Sequence, residues 1–384
     1  MSVSRTYLDY NATAPLRPGA REAMLRALDS FGNPSSVHAE GRRARSVIEC
    51  ARAEIAGLVG AQARDVAFTS GATESANWVL SAPWRKILVS AVEHPAVTAP
   101  ATRAGAQTMT IPVDANGLID VELFANLLRN DIGDDPEQGD VLVAVQFANN
   151  ETGVVQPIAE IAGFVHEHGA QLLVDAVQAA GRIEIDMATL GVDYLMISSH
   201  KIGGPQGVGA LVFGTAASNN LKPLIVGGGQ ERNKRAGTEN VPALAGFGAA
   251  AVAAKDDLLR VGESALLRDE LEARLKAATP GLTIFAKNAP RLCNTTLVAL
   301  PGASAETTVI GLDLNGVAAS AGSACSSGKT ARSPVLAAMD VSADMAKCAV
   351  RFSLGWATNE KDIAACEGAW QRVMKTRGGE RQVA

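Results

Sequence analysis

Two segments decide the fold: Gln171-Leu172-Leu173-Val174-Asp175, and Tyr194-Leu195-Met196-Ile197, which continues into Ser198-Ser199-His200-Lys201. Each contains a nearly unbroken apolar run, which is typical of a strand that helices cover on both faces. Asp175 and Lys201 lie 26 residues apart, about the length of one strand-connection-strand unit. Both are therefore expected at the same edge of a mostly parallel α/β sheet.

The alternation of strand and helix extends outward from these segments. Buried strands are also predicted at residues 66–68, 86–89, 141–147 and 208–213, and helices at 42–58, 157–168 and from 241 onward. After residue 282 the order is more mixed, with strands at 295–300 and 350–354 and helices at 305–313 and from 359. We therefore predict a large domain over residues 15–260, with a sheet of the seven-stranded type and helices on both faces. A smaller α+β domain is predicted from residues 1–14 and 261–384.

The composition excludes several classes of function. The 384 residues carry 35 lysines and arginines against 40 acids, a net charge of −5, with no long basic run. Nucleic acid and membrane surfaces are therefore not expected as partners. The apolar stretch 241–254 is too short to span a bilayer, and residues 1–10 lack the apolar core of a secretory signal. The five cysteines show no disulfide or metal-ligand spacing, so we expect a cytoplasmic protein without a resident metal.

A run of small polar residues, Thr69-Ser70-Gly71-Ala72-Thr73-Glu74, follows the strand at 66–68. Ligands of open α/β sheets bind beyond the carboxyl ends of the strands, where the backbone N–H groups of a helix start can hold a phosphate. A turn capped by serine or threonine explains the same residues, and capping preferences alone favour it. The run therefore indicates a phosphate site only in combination with other residues.

Asp175 and Lys201 supply that combination. A carboxylate can keep a pyridine nitrogen protonated, and a lysine can form a Schiff base with an aldehyde; pyridoxal 5′-phosphate (PLP) needs both groups at opposite ends of its ring. Each residue alone has an ordinary explanation, Asp175 as a helix N-cap and Lys201 as a solvated loop residue. A phosphate site, a carboxylate and a lysine in chain order on successive strand ends together point to PLP.

Three further polar groups end or interrupt apolar strands. His94 lies just beyond the strand at 86–89, where it could stack on a cofactor ring and exchange protons, although a lone histidine is more often structural. Asn149-Asn150-Glu151 follows the strand at 141–147 with groups that need partners. Arg351 lies in an apolar strand and needs an anionic partner, a role that suits a substrate carboxylate.

The loop over residues 320–329 consists of small residues around one thiol, Cys325. Core cysteines typically lie among aliphatic residues and behave as small hydrophobes. A cysteine on a loop rich in glycine and serine is instead placed to reach a substrate and move away, and Lys329 and Arg332 would favour its thiolate. The alternative is a flexible linker with an incidental cysteine.

Eight segments follow one another along nearly the whole chain: Tyr7-Leu8-Asp9-Tyr10-Asn11-Ala12-Thr13, Phe31-Gly32-Asn33-Pro34-Ser35-Ser36-Val37-His38, Thr69 to Glu74, Ala148-Asn149-Asn150-Glu151-Thr152-Gly153, Val174-Asp175-Ala176-Val177-Gln178, Ser198-Ser199-His200-Lys201, Gly228-Gly229-Gln230-Glu231-Arg232 and Arg235-Ala236-Gly237-Thr238-Glu239-Asn240. Together they resemble the motifs of cysteine desulfurases, and the likeness runs from about Tyr7 to Ala365. It implies fold type I of the PLP enzymes, in the aminotransferase class V group, and a homodimer. The loop 320–326 resembles the type found in the nitrogen-fixation (NifS) and housekeeping (IscS) members.

The resemblance also implies roles for single residues. The cofactor ring would be held by Lys201 as the Schiff-base lysine, Asp175 at the pyridine nitrogen, Gln178 at the ring hydroxyl and His94 stacked on the ring. The phosphate would be held by Ala72 through its backbone, Thr73, Ser198, His200 and, from the other subunit, Thr238. Asn149 and Arg351 match contacts to the substrate carboxylate, Asn149 also lying near the cofactor. Cys325 matches the nucleophile that accepts sulfur, on a loop over about residues 320–333.

The implied activity is that of a sulfurtransferase: L-cysteine loses sulfur, L-alanine is released, and a persulfide forms on Cys325. The expected acceptor is an iron-sulfur scaffold protein, and the short polar end at 376–384 favours the nitrogen-fixation type. The alternatives are a selenocysteine lyase, a class V aminotransferase acting on serine or aspartate, and a sulfur-relay binding protein with vestigial catalysis. An aminotransferase has no use for the Cys325 loop. Whether Cys325 transiently ligates an iron-sulfur cluster stays open.

Overall fold

The computed structural model describes residues 5–132, 140–215, 217, 221–322 and 333–380. Its strands, in chain order, are β1 (Thr6–Tyr7), β2 (Val66–Thr69), β3 (Lys86–Ser90), β4 (Gln107–Ile111), β5 (Val141–Gln146), β6 (Gln171–Asp175), β7 (Tyr194–Ser198), β8 (Gly209–Phe213), β9 (Thr283–Ile284), β10 (Thr295–Ala299), β11 (Val317–Ala318), β12 (Ser320–Ala321) and β13 (Ala349–Ser353). Its helices are α1 (Pro18–Leu28), α2 (Ala39–Leu58), α3 (Ala72–Leu80), α4 (Pro95–Arg103), α5 (Val121–Ile132), α6 (Ile158–Glu167), α7 (Met187–Leu190), α8 (Val241–Asp257), α9 (Val261–Ala278), α10 (Ala305–Leu314), α11 (Pro334–Ala338), α12 (Ala343–Ala346) and α13 (Glu360–Glu380).

A seven-stranded sheet forms the centre of the molecule, in the order β2-β8-β7-β6-β5-β3-β4. The five strands from β7 to β4 run parallel, and β8 runs antiparallel to both of its neighbours. The predicted mostly parallel α/β sheet is therefore confirmed. Strand β4 was not predicted, because it is an edge strand in which Gln107, Thr108 and Thr110 are exposed, so it carries no continuous apolar run.

Helices cover both faces of this sheet, which explains why its strands are apolar on both sides. On one face Ile48 and Phe247, from α2 and α8, pack with Val143 in one apolar cluster. On the other face Trp78 of α3 packs with Leu142 in a second cluster. Neighbouring residues of β5 thus point to opposite cores. Each fully buried aliphatic or aromatic side chain contributes about 1.5–3 kcal/mol to the free energy of unfolding.

A second, four-stranded antiparallel sheet, β12-β13-β10-β9, lies toward the C-terminal end of the chain. Phe352 of β13 and Trp370 of α13 pack edge to face in its core, together with Leu8 from the start of the chain. Residues near the N-terminus therefore pack with this second sheet, and β1 pairs with β11. The predicted domain boundaries near residues 14 and 260 stay a prediction.

Helix α8 shows where the longest apolar stretch of the sequence is placed. It packs against both α1 and α2, and Phe247, Ala250 and Ala251 are fully buried. Among the described residues, no helix has both the length and the apolarity that crossing a bilayer requires. The same residues contain no group of three or more histidine, cysteine or acidic side chains arranged to hold a metal ion.

Candidate active site

A cavity of about 550 Å³ opens at the carboxyl ends of β5, β6 and β7. This volume lies in the range that small-molecule sites usually have. The cavity brings together nine of the predicted site residues: Ala72, Thr73, His94, Asp175, Gln178, Ser198, His200, Lys201 and Arg351. They come from five separate segments of the chain, so the sheet edge is what assembles the site.

Lys201 and Asp175 lie in the wall of this cavity, at the ends of β7 and β6. The Nζ of Lys201 donates hydrogen bonds to the backbone oxygens of Asn11 and Ala12, at 2.6 and 2.9 Å. Burial raises the pKa of Asp175 to about 6, although the Val177 N–H, which donates to its Oδ1, and the Lys201 cation both lower it. The carboxyl of Asp175 is thus buried, and a cationic partner would stabilise its ionised form.

The first turn of α3 forms one end of the cavity, where residues 70–74 line it. Ser198 and His200 approach from the end of β7, and the Nδ1 of His200 lies 3.2 Å from the Thr13 hydroxyl oxygen. Burial, reinforced by the nearby Lys201 cation, lowers the pKa of His200 to about 4, so its ring is neutral at pH 7. Backbone N–H groups at the helix start and these neutral donors form a cup that suits an anion.

His94 is both a structural and a cavity residue. Its Nδ1 accepts a hydrogen bond from the Ala96 N–H at 3.1 Å, which makes it the N-cap of α4. Burial, together with the Lys201 cation, lowers the pKa of His94 below its usual value. Because Nδ1 accepts, the neutral ring carries its proton on Nε2, and this tautomer follows from the hydrogen-bond partner. The capping role and the predicted site role are therefore compatible.

Gln178 is fixed by two hydrogen bonds beside the Lys201 side chain. Its Nε2 donates to the Asn11 backbone oxygen at 3.0 Å, and its Oε1 accepts from Nη1 of Arg182 at 2.6 Å. The Asn11 carbonyl thus accepts from both Lys201 and Gln178. Asn11 lines the cavity but was not predicted as a site residue. It contributes its backbone oxygen, which every residue type has, so the sequence does not indicate it.

Arg351 lies at the other end of the cavity, in the middle of β13. Its Nη2 donates to Oδ1 of Asp9 at 2.7 Å and its Nη1 to the Asn150 backbone oxygen at 3.0 Å. Its Nε is buried and has no hydrogen-bond partner in the part of the chain that the structure describes. The anionic partner that this buried arginine requires is thus present within the chain as Asp9. The sequence signal for Asp9 was an acid in the run Tyr7-Leu8-Asp9-Tyr10, next to apolar and aromatic residues.

Comparison with known proteins identifies the family of this site. Residues 6–366 match the family model described as aminotransferase class V. A cysteine desulfurase IscS from Dictyoglomus turgidum is 38% identical over 384 residues, covering 96% of this chain and 94% of the relative. The chain belongs to the cysteine desulfurases of the class V aminotransferase family.

Two solved structures agree with this membership. A NifS-like protein from Rickettsia africae superposes with a TM-score of 0.88 at 36% identity, covering 97% of this chain and 99% of the other. A structure described as SspA in complex with cysteine superposes with a TM-score of 0.77 at 29% identity, covering 91% and 98%. The predictions of cysteine desulfurase activity and of fold type I are therefore confirmed, while the nitrogen-fixation type stays a prediction.

Within this cysteine desulfurase, the cavity does not include Asn149. Its Oδ1 accepts from the N–H groups of Glu151 and Thr152, both at 2.8 Å, and its Nδ2 donates to the Val92 backbone oxygen at 3.2 Å. Asn150, the next residue, lines the cavity instead. Asparagine side chains in turns often bond the backbone N–H two residues on, and the structure shows this bond for Asn149.

Thr238 and Cys325 are the two remaining predicted residues. Thr238 is exposed and does not line the cavity of its own chain. Cys325 lies outside the described residues. Ser320, shortly before that gap, donates through its hydroxyl to Oδ2 of Asp9 at 2.9 Å, and it is the cross-strand neighbour of Arg351. The described part of the segment that leads to Cys325 is therefore fixed next to Arg351.

Proposed function

We propose that the chain uses PLP to remove sulfur from L-cysteine, releasing L-alanine and leaving a persulfide on Cys325. The observation that carries this proposal is the placement of Lys201 and Asp175 in one cavity, next to the anion-binding start of α3. An amine, a buried carboxyl and a phosphate cup are the donor set that PLP requires. The residues of the cavity therefore fit the cofactor.

The same cavity residues would hold PLP. Lys201 would be its covalent attachment point, Asp175 would hold the ring nitrogen, and Gln178 and His94 would fix the ring. The phosphate would be held by the Ala72 amide, Thr73, Ser198 and His200. When bound, PLP supplies an electron sink that stabilises negative charge developing at the substrate Cα.

The protein's own groups would then bind the substrate and move its protons. Arg351, held in position by Asp9, would bind the substrate carboxylate, and Asn150 lies beside it in the cavity wall. We assign this position to Asn150, since the side-chain groups of Asn149 are occupied in its turn. Lys201, as the neutral amine, would take the Cα proton and later return a proton during formation of alanine. His94 offers an Nε2–H donor at the same cavity.

Sulfur transfer would need Cys325 as a thiolate. Its sulfur attacks the substrate Sγ, an S–S bond forms, and the Cβ–Sγ bond breaks with its electron pair going to Cβ. Protonation of that carbon gives L-alanine, so cysteine and the enzyme thiol become alanine and an enzyme persulfide with no external oxidant. The persulfide would then pass to an acceptor, for which an iron-sulfur scaffold is proposed.

We also propose that the enzyme is a homodimer. Thr238 is exposed and outside its own cavity, so a role at a phosphate requires a second subunit. The nearby Val226 is 81% exposed, and Phe31 and Val37 are 80% and 87% exposed. A second subunit that covered these side chains would remove their apolar surface from water.

One assay tests the proposal directly. The protein is given L-cysteine with a reductant, and alanine and sulfide are quantified. Cys325→Ser should keep its bound, yellow PLP but form no persulfide, while the matched control Cys50→Ser, which removes an exposed thiol, should behave as the unmodified protein. Full sulfide release by Cys325→Ser would overturn the role of Cys325, and transamination without sulfide would favour an aminotransferase.

A further inference from the structure

Glu74 places a carboxylate where the proposed function needs an anion to bind. It is the third residue of α3, and it lines the cavity with Ser70 and Thr73. A carboxylate at a helix start is attracted by the same partial positive charge that would attract a phosphate. It would also repel a phosphate directly. The site therefore needs a way to neutralise Glu74.

Arg235 provides that neutralisation. Its Nε donates to Oε1 of Glu74 at 2.9 Å and its Nη2 to Oε2 at 3.2 Å, so both carboxylate oxygens are bound by one guanidinium. The Ser70 N–H also donates to Oε2, at 2.8 Å. Burial raises the pKa of Glu74, but the hydrogen bonds from Arg235 and Ser70 outweigh this effect and leave the pKa below its usual value. Glu74 is therefore ionised and paired.

A buried ion pair brings Arg235 to this position. Two to four residues before Arg235, the segment makes a turn in which Glu231, Arg232 and Asn233 have φ of 47°, 57° and 65°. Residues other than glycine adopt this left-handed region only where their surroundings enforce it. Here Glu231 is bound by Arg52 at 2.6 and 2.9 Å and by the Phe68 N–H at 2.9 Å, all in the interior. The segment carrying Arg235 is thus fixed to β2, the strand that leads into α3.

We propose that Arg235 is a positioning residue of the phosphate site, which acts through Glu74: it holds the carboxylate in a forked pair and cancels its charge beside the place where the phosphate would bind. This inference rests on the proposed function, since it concerns the same cavity. It makes a prediction that an ordinary stabilising ion pair does not make. Removing Arg235 alone should harm phosphate binding more than removing Arg235 and Glu74 together.

The test measures binding of PLP, and of pyridoxal, which lacks the phosphate, to the full chain after its cofactor has been removed. Arg235→Gln should weaken PLP binding about tenfold or more, because an unpaired charge then faces the phosphate. Glu74→Gln should change it by less than about threefold, and the double variant should regain most of the loss. Pyridoxal binding should stay the same in all variants.

Two further variants keep the test decisive. Arg235→Lys keeps the positive charge without the forked geometry, so its PLP binding should lie between that of Arg235→Gln and the unmodified protein. Arg274→Gln breaks a comparable ion pair with Glu367 far from the cavity, and it should leave PLP binding unchanged.

The inference is overturned if the double variant binds PLP as weakly as Arg235→Gln, or if pyridoxal binding falls in parallel. It is also overturned if Arg235→Gln binds PLP normally. Failure of the proposed function looks different, because the unmodified protein would then bind no PLP that borohydride can trap on Lys201.

Discussion

The two ends of the cavity handle negative charge in opposite ways. At the α3 end, the groups that could contact an anion are backbone amides and neutral side chains, and the ionised Glu74 is cancelled by Arg235. At the β13 end, a single guanidinium, Arg351, is buried and already paired with Asp9. One end distributes binding over many modest donors and the other concentrates it in one side chain. Single substitutions should therefore have very different effects at the two ends.

The largest effect is expected between the two ends, at Lys201. Lys201→Ala removes the only amine that the proposed function assigns to both cofactor attachment and proton transfer. Desulfurase activity should fall by at least about 10³-fold, and borohydride should no longer fix PLP to the protein. Lys222→Ala, which removes an exposed lysine, is the control and should retain both properties. Retained trapping in Lys201→Ala would assign the attachment to another lysine.

The β13 end should show the next largest effect. Arg351→Ala removes the guanidinium and leaves the Asp9 carboxylate unpaired, so kcat/KM for L-cysteine should fall about 10²- to 10³-fold. Bound PLP, measured by absorbance, should stay near one per chain, because Arg351 is not among the residues proposed to hold the cofactor. Asp9→Asn should give a smaller loss in the same direction. Equal loss of PLP in Arg351→Ala would show that the two ends are not independent.

The α3 end should tolerate single changes better. Thr73→Ala and Ser198→Ala each remove one neutral donor, so each should weaken PLP binding only about three- to tenfold. The double variant should show roughly the product of the two factors, since independent donors add in free energy. A loss of more than about 10²-fold from either single variant would contradict the view that binding there is distributed.

At Glu151, close to Arg351, the expected effect is on stability and not on activity. Burial raises the pKa of Glu151 to about 7, against the hydrogen bond from Ser333 and the Arg351 cation, which lower it. A carboxyl with a raised folded pKa stabilises the fold fully below its unfolded pKa near 4.5 and loses that stabilisation as the pH rises to 7. Between pH 4.5 and 7 the protein should therefore lose up to about 3 kcal/mol of unfolding free energy relative to Glu151→Gln.

Urea denaturation of both proteins across this pH range measures the difference. Glutamine still offers an oxygen to the Ser333 hydroxyl, so the variant removes the titration while keeping the contact. Glu160→Gln, at an exposed position, is the control and should follow the unmodified protein. A constant difference between Glu151→Gln and the unmodified protein at all pH values would contradict the raised pKa.

The parts of the molecule that the sequence predicted are those with a local signal. The apolar runs of β5, β6 and β7 identified the sheet, and the spacing of Asp175 and Lys201 placed both at one edge, because a parallel crossover returns the chain to the same side. The exposed edge strand β4 had no such run and was missed.

The missed site residues depend on contacts between distant segments. Asp9 meets Arg351 across 342 residues of sequence, and Glu74 meets Arg235 across 161. Neither hydrophobic periodicity nor residue spacing predicts such pairs, because they form only when the complete fold brings the segments together. The difference in position between Asn149 and Asn150 has a different origin, since it depends on which of two neighbours closes a local turn.

The carboxylate of Asp9 connects the proposed substrate arginine with the segment that leads to the nucleophile. One of its oxygens binds the arginine proposed to recognise substrate, and the other binds Ser320, which precedes the thiol-bearing stretch. A substitution at Asp9 should thus weaken cysteine recognition and, at the same time, release the described start of that stretch from its contact.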